Sequence, residues 1–163
     1  AEQGKAIYIR EGCIYCHTQQ VRYEGYGADQ ARGWGARHTV PRDYILQDRV
    51  LLGTSRLGPD LTNMGQRQED PMWYYQMLYD PRFHEVHENS VMPPYRWLFE
   101  KRRIDGRPSP DALELPRVLR DRPYNLHPGE GYEIVPTPEA RALVAYLLSL
   151  RLDYSLPAST LPE

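Results

Sequence analysis

The pentapeptide Cys13-Ile14-Tyr15-Cys16-His17 decides how this 163-residue sequence is interpreted. It contains the only two cysteines of the chain, three positions apart, and a histidine follows them at once. This C-x-x-C-H spacing is typical of the attachment site of a c-type haem. Two thiols at this separation reach the two vinyl groups on one edge of a porphyrin, and the adjacent imidazole then faces the iron. The motif therefore predicts one covalently attached haem c, bound through Cys13 and Cys16, with His17 as an axial ligand.

Three other interpretations of the cysteine pair remain open. A structural zinc site needs four ligands, usually in paired clusters, and the sequence has no second cysteine pair. A redox disulfide of the thioredoxin type belongs in a βαβ context, which the surrounding sequence does not indicate. The third is a chance occurrence of the motif. Haem attachment is favoured over all three because it also explains the composition.

The composition suits a chain that folds around a large apolar group. Hydrophobic residues make up 40% of the sequence, but they include 13 tyrosines and 3 tryptophans. The 12 glycines and 15 prolines indicate long loops, at a content below that of low-complexity disorder. The net charge of −2 offers no basic surface for nucleic acid. We therefore expect a folded, loop-rich protein that does not bind nucleic acid.

Helix caps and apolar spacing predict three helices. The first covers residues 2–12, and the second follows Asp70 as N-cap and covers residues 71–79. The third follows Thr137 as N-cap and ends near residue 154. No alternation of apolar and polar residues is long enough to suggest a sheet. The predicted fold class is therefore all-α with long loops.

The length of the chain predicts one domain over residues 1–163. Prolines are closely spaced in the region between the second and third helices, which indicates an insertion on the surface. The expected parts are haem-binding regions at residues 1–100 and 137–154, a Pro-rich insertion at residues 101–136, and a C-terminal tail at residues 155–163. No apolar stretch is long enough to span a bilayer.

The second axial ligand is predicted to be Met92. The candidates are the methionines Met64, Met72, Met77 and Met92 and the four histidines outside the motif, of which His84 and His87 form a pair. Two of the methionines belong to the second predicted helix, where methionine usually fills the core, and Met64 lies in a polar turn. Met92 lies in an irregular loop stiffened by two prolines, which can hold a thioether in place. The histidine pair is the alternative.

Residues 56–61 are expected to support the haem. A proximal histidine needs an acceptor for its second ring N–H, which fixes the orientation of the ring, and the carbonyl of Pro59 is the candidate. Arg56 is expected either to face a haem propionate or to remain solvated. Tyr95 and Trp97, just past the predicted methionine ligand, are the aromatic residues expected nearest the haem.

Several motifs occur in an order that resembles a known family. They are YIREGC (8–13), CHTQQVR (16–22), RLGPDL (56–61), SVMPPYRWL (90–98) and a final LVAYLLSL helix (143–150). Their order is similar to that of class I cytochromes c. More narrowly, the first four resemble the monohaem cytochrome c subunit of cbb-type haem–copper oxidases, the FixO family. The resemblance covers about residues 4–99 and resumes at the last helix.

The resemblance implies a class I cytochrome c fold in which the first and last helices cross, with Gly4 and Tyr8 against Tyr146. It implies haem c with His17 and Met92 as axial ligands. It also implies single-electron transfer from a donor cytochrome c to a membrane-embedded, oxygen-reducing oxidase subunit. The expected location is the periplasm or the outer face of the cytoplasmic membrane. Because the chain starts without a methionine, we expect membrane association only through a missing N-terminal anchor or through partner subunits.

Two other functions remain open. With both axial positions filled, the chain is expected to transfer electrons and not to act as an enzyme by itself. One alternative is a freely diffusing periplasmic carrier that serves another reductase, such as nitric oxide reductase. The other is a five-coordinate haem sensor or peroxidase-like protein, with Met92 absent from the iron. The basic residues 101–103 with Arg107 form either a docking patch for an anionic partner or a solvated loop.

Overall fold

The computed structural model describes residues 1–115, 127–152 and 154. This part of the chain contains five α-helices and a two-stranded sheet. The helices α1 to α5 cover Glu2–Arg10, Cys13–Cys16, Met64–Arg67, Pro71–Tyr79 and Pro138–Ser149, and the strands β1 and β2 cover Phe99–Arg103 and Tyr132–Pro136. Short 3-10 turns cover Pro41–Tyr44, Pro81–Phe83, Glu85–His87 and Arg96–Leu98. Among the described residues, no helix is long and apolar enough to cross a membrane.

The sheet shows that the all-α prediction is wrong, because the fold is mixed α/β. Strand β1 pairs antiparallel with β2, so that Phe99 lies opposite Pro136 and Arg103 lies opposite Tyr132. Only the first residue of β1 is buried, and its four charged residues are exposed, whereas the last four residues of β2 are all buried. Neither strand therefore has the two-residue alternation by which a strand is recognised in sequence.

The chain forms two compact units. The first comprises Ala1–Cys13 and Gln68–Ser149, and the second comprises Ile14–Arg67 and Leu150–Glu163. A single domain over the whole chain stays a prediction. The sheet occupies the two ends of the predicted insertion, while residues 116–126 of that insertion and the predicted tail at 155–163 lie outside the described residues.

In the first unit, helix α1 packs closely against helix α5. A Cβ atom on Gly4 would lie 2.1 Å from the carbonyl oxygen of Ala142 and 2.6 Å from Cβ of Tyr146, so no larger residue fits without a shift of the backbone. Tyr8 is fully buried, and its ring meets that of Tyr146 edge to face with centroids 5.7 Å apart. The expected contact of Gly4 and Tyr8 with Tyr146 is present.

The predicted caps are present, but the last helix is shorter than predicted. The Asp70 carboxylate accepts a hydrogen bond from the backbone of Met72, and Thr137 Oγ1 accepts one from the backbone of Ala140. Helix α5 ends at Ser149 instead of near residue 154.

Contacts beyond the helix explain this early end. In the second unit, the carbonyl of Leu150 accepts a hydrogen bond from the backbone of Gly65, and the backbone N–H of Leu152 donates to Asn63 Oδ1. These contacts replace the intrahelical hydrogen bonds that a longer helix would have made.

Candidate functional site

Helix α2 carries both cysteines and ends immediately before His17. Cys13 is buried, Cys16 is half-buried, and neither forms a disulfide. The turn from α1 into α2 passes through Gly12, which has a φ of 78° and whose N–H donates to the carbonyl of Ile9. Glycine suits this left-handed position after a helix. The motif therefore follows α1 after a two-residue turn.

The ring of His17 is oriented by a backbone carbonyl. Nδ1 of His17 lies 2.8 Å from the carbonyl oxygen of Pro59, the contact expected of that proline. Burial lowers the pKa of His17, although the Pro59 carbonyl and the charge of Asp60 oppose this effect. A lowered pKa favours the neutral ring, which is the form that binds metals. Because Nδ1 donates to Pro59, Nε2 is the nitrogen that would bind iron.

The backbone of residues 53–58 lies against His17. A Cβ atom on Gly58 would lie 2.1 Å from Cε1 of His17 and 2.5 Å from Nδ1, so the ring rests directly on the glycine. The N–H of Gly58 donates to the carbonyl of Cys16, and a Cβ atom on Gly53 would lie 2.8 Å from the carbonyl of His17. The ring is therefore held at one face and at one nitrogen by backbone atoms.

Arg56 contacts carboxylates of the protein. Its backbone has a φ of 49°, and its side chain donates to Asp29 at 2.8 Å and lies 3.7 Å from Asp60. Asp29 is fully buried and also accepts a hydrogen bond from the backbone of Arg22. Burial by itself would raise the pKa of Asp29, but the hydrogen bonds from Arg22 and the charge of Arg56 outweigh burial and lower it. The contact of Arg56 with a propionate stays a prediction.

Met92 lies in the first unit, in a loop with several hydrogen bonds. Its backbone N–H donates to Ser90 Oγ, and its carbonyl accepts from Arg82. The backbone of Tyr95 donates to the carbonyl of Leu78 at 2.7 Å, which joins the loop to the end of α4. Since His17 belongs to the second unit, the axial pair stays a prediction.

Tyr95 and Trp97 occupy different environments. Tyr95 is 7% exposed, whereas Trp97 is 62% exposed, and their ring centroids are 5.2 Å apart. The indole N–H of Trp97 donates to Glu11, two residues before Cys13. Contact of either ring with a haem stays a prediction.

Six buried side-chain atoms have no hydrogen-bond partner among the described residues: Nε of Arg22, Arg37 and Arg96, Thr18 Oγ1, Thr62 Oγ1 and His84 Nε2. The His84 ring stacks on Trp73, and its pKa is lowered by burial and by the nearby His87. Buried polar atoms normally have a partner. In the second unit, a bound group with polar substituents suits Thr18 Oγ1 and Thr62 Oγ1, and thiols, an imidazole and a thioether are the donors that a haem c uses. The residues present therefore fit the group.

Sequence reasoning missed two residues beside the methionine loop, Asp80 and Arg82. Asp80 is the N-cap of the turn Pro81–Phe83 and accepts a hydrogen bond from the backbone of Arg82. The Asp-Pro pair could have indicated this cap. Nothing in the sequence connects it with residues 90–92, because that contact exists only in the folded chain.

A comparison with protein families identifies the group to which the chain belongs. Residues 1–130 match the family described as "Cytochrome C oxidase, mono-heme subunit/FixO". The chain belongs to the FixO family. The resemblance found in the sequence is confirmed. As a FixO protein, the chain is a monohaem, electron-transferring subunit of a cytochrome c oxidase. A search of curated proteins finds no match.

Proposed function

We propose that this FixO chain passes single electrons from a donor cytochrome c to the membrane-embedded, oxygen-reducing subunit of its oxidase, on the periplasmic side. Cys13 and Cys16 would hold one haem c through thioether bonds, and His17 and Met92 would bind its iron. The observation that carries the proposal is the hydrogen bond between His17 Nδ1 and the Pro59 carbonyl, next to the C-x-x-C-H helix.

Each of these residues has a separate task. The cysteines fix one edge of the group, which supplies a reversible one-electron iron couple when bound. His17 is fixed in orientation by Pro59 and Gly58, and hydrogen bonding of Nδ1 makes Nε2 a better electron donor. A methionine ligand favours the reduced iron and raises its potential, as suits a donor to an oxidase.

Filled axial positions exclude substrate from the iron. With His17 and Met92 both bound, the chain transfers electrons and does not act as an enzyme by itself. A five-coordinate sensor or peroxidase-like protein would instead bind carbon monoxide readily, because one axial position would be open. The ligand set is therefore the property to measure first.

The test is the absorption spectrum of the oxidised holoprotein, compared with that of Met92→Ala. The wild type should show the weak sulfur-to-iron charge-transfer band, and Met92→Ala should lack it. Met77→Ala is the control, because Met77 is a half-buried methionine of α4 and should leave the band in place. A wild-type protein without the band, or a band that survives Met92→Ala, contradicts the ligand assignment.

The direction of electron flow needs a separate experiment. An oxidase preparation that lacks this subunit should consume oxygen from a reduced c-type donor only after the holoprotein is added back. Cys16→Ser is the variant to add back in parallel, because it removes one of the two proposed thioether bonds to the haem. Restored uptake in which the added chain does not co-purify with the oxidase would favour a diffusing carrier over a fixed subunit.

A further inference from the structure

We propose that Arg82 is a positioning residue for Met92, because its guanidinium, fixed by Asp80, holds the loop that presents the thioether. This inference rests on the proposed function, since it takes Met92 to be the second axial ligand. The inference concerns hydrogen bonds within the protein, and it explains how the irregular loop around Met92 keeps one position.

The contact between Arg82 and the loop is direct. One terminal nitrogen of Arg82 lies 3.1 Å from the carbonyl oxygen of Ser90 and 3.4 Å from that of Met92. The same nitrogen therefore bridges two carbonyls at the base of the methionine. Hydrogen bonds from a charged donor are stronger than those from a neutral one, so this arginine restrains the loop more than a water molecule could.

The other edge of the same guanidinium is anchored. Nε of Arg82 lies 3.1 Å from Oδ1 of Asp80, whose side chain is 6% exposed. The backbone N–H of Asp80 donates to the carbonyl of Gln76 in α4 at 3.0 Å. Hydrogen bonds and one ion pair thus connect the helix, through the carboxylate and the guanidinium, to the backbone of Met92.

Arginine is the residue that this geometry requires. Its donors are arranged in a rigid, planar fork, so Nε can face a carboxylate while a terminal nitrogen faces the carbonyls. Lysine carries its charge on a single nitrogen, so it could bind well either to the carboxylate or to the carbonyls, and not to both. Arg82→Lys should therefore keep part of the restraint on the Met92 loop and not all of it.

Arg96 provides a matched control. It donates to Oδ2 of the same Asp80 carboxylate at 2.8 Å, and its side chain is exposed to a similar extent. Within the described residues, its hydrogen bonds do not include the carbonyl of Ser90 or of Met92. Arg96→Gln therefore removes a charge beside the same carboxylate and leaves the loop contacts intact.

The experiment measures how readily imidazole replaces the methionine sulfur in the oxidised holoprotein. The charge-transfer band reports the sulfur–iron bond, and far-UV circular dichroism reports the fold. Loss of two charge-assisted hydrogen bonds in Arg82→Gln should tighten the apparent binding of imidazole about tenfold. Arg82→Lys should tighten it less, and Arg96→Gln should change it less than about twofold.

Equal effects of Arg82→Gln and Arg96→Gln would overturn the inference, because they would show a general effect of charge near Asp80. Unchanged imidazole binding in Arg82→Gln would overturn it as well. If Arg82→Gln does not fold, the decision rests on Arg82→Lys against Arg96→Gln. A wild-type protein without the charge-transfer band would instead refute the proposed ligation of Met92.

Discussion

The segment that holds His17 and the loop that carries Met92 are built in different ways. Residues 56–61 are joined to the histidine segment by backbone hydrogen bonds, from Gly58 to Cys16 at 3.0 Å and from Leu61 to Thr18 at 2.8 Å. The loop around Met92 is instead held mainly by side chains, Arg82 and Ser90, together with a backbone bond from Tyr95. A side chain can reorient at little cost, whereas a backbone pair cannot.

This difference predicts an unequal pair of ligands. Backbone atoms contact His17 at its ring face and at Nδ1, so its position is set by the path of the chain. Met92 is set by a loop that can shift when its hydrogen bonds open. We therefore expect the histidine to stay on the iron under conditions that release the thioether.

The largest effect is expected from Gly58→Ala. The added Cβ would lie 2.1 Å from Cε1 of His17, so either the ring or the backbone must move. Overpacking of this kind costs about 1–3 kcal/mol and occasionally more, and here it also displaces His17, the proposed ligand. Haem content per protein and the low-spin absorption spectrum should both fall sharply.

Gly25→Ala is the control for that substitution. Gly25 belongs to the same unit, has a φ of 89°, and has open space where the Cβ would lie. It should cost about 1 kcal/mol through backbone strain and leave the haem spectrum unchanged. A normal spectrum in Gly58→Ala would show that the histidine side is less rigid than we infer.

The next effect is on the free energy of unfolding and is expected from Asp29→Asn, which disrupts the support under residues 56–61. The carboxylate of Asp29 is fully buried between Arg22 and Arg56, so its loss leaves two arginines poorly paired. The free energy of unfolding should fall by about 3 kcal/mol, as measured by urea titration. Asp111→Asn, at an exposed pair with Arg141, should cost less than about 1 kcal/mol.

The effect of Asp29 should also depend on pH. The pKa of Asp29 is lowered in the folded protein, so its contribution to stability is complete above the unfolded-state value of about 3.9. It is lost as the pH falls through the lower, folded-state pKa. The stability difference between wild type and Asp29→Asn should shrink below about pH 4. A difference that grows on acidification would contradict this sign.

The order in which the two ligands are released tests the comparison without a substitution. In guanidinium chloride, the charge-transfer band should disappear before the far-UV circular dichroism signal, because local opening of the Met92 loop requires less free energy than global unfolding. A gap of about 1 kcal/mol is expected from the few hydrogen bonds involved. Coincident transitions would mean that the Met92 loop and the segment that holds His17 are equally stable.

The smallest effect is expected from Trp97→Phe. The indole is mostly exposed, and among the described residues it donates a hydrogen bond to Glu11. Stability should change by less than about 0.5 kcal/mol, and the charge-transfer band should persist. A clear change in the band would show that Trp97 contacts the haem, as its place in the sequence suggested.

Local patterns made part of this molecule predictable. The cap at Asp70, the cap at Thr137 and the carbonyl partner of His17 each depend on a short stretch of sequence whose chemistry is specific. The C-x-x-C-H motif and the three accompanying segments indicated the family for the same reason, because each can be recognised from its own residues.

Contacts between distant charged residues could not be predicted in this way. Arg56 binds Asp29, 27 positions away, a contact that the sequence did not predict. The sequence shows that an arginine is present and does not show which carboxylate it meets. The sheet was missed for a related reason, since β1 is paired with a strand that covers Tyr132–Pro136 and has no apolar alternation of its own.

The close packing of α1 on α5 also affects the order of events during synthesis. Helix α1 has nine residues, and an isolated helix of that length is only marginally stable in water. Its partner face at Ala142 and Tyr146 is near the other end of the sequence, so this contact forms late and slowly. Until α5 has been made, α1 lacks the face on which it packs. The thiol of Cys13, in the same unit, is thus accessible for the proposed haem attachment before this contact forms.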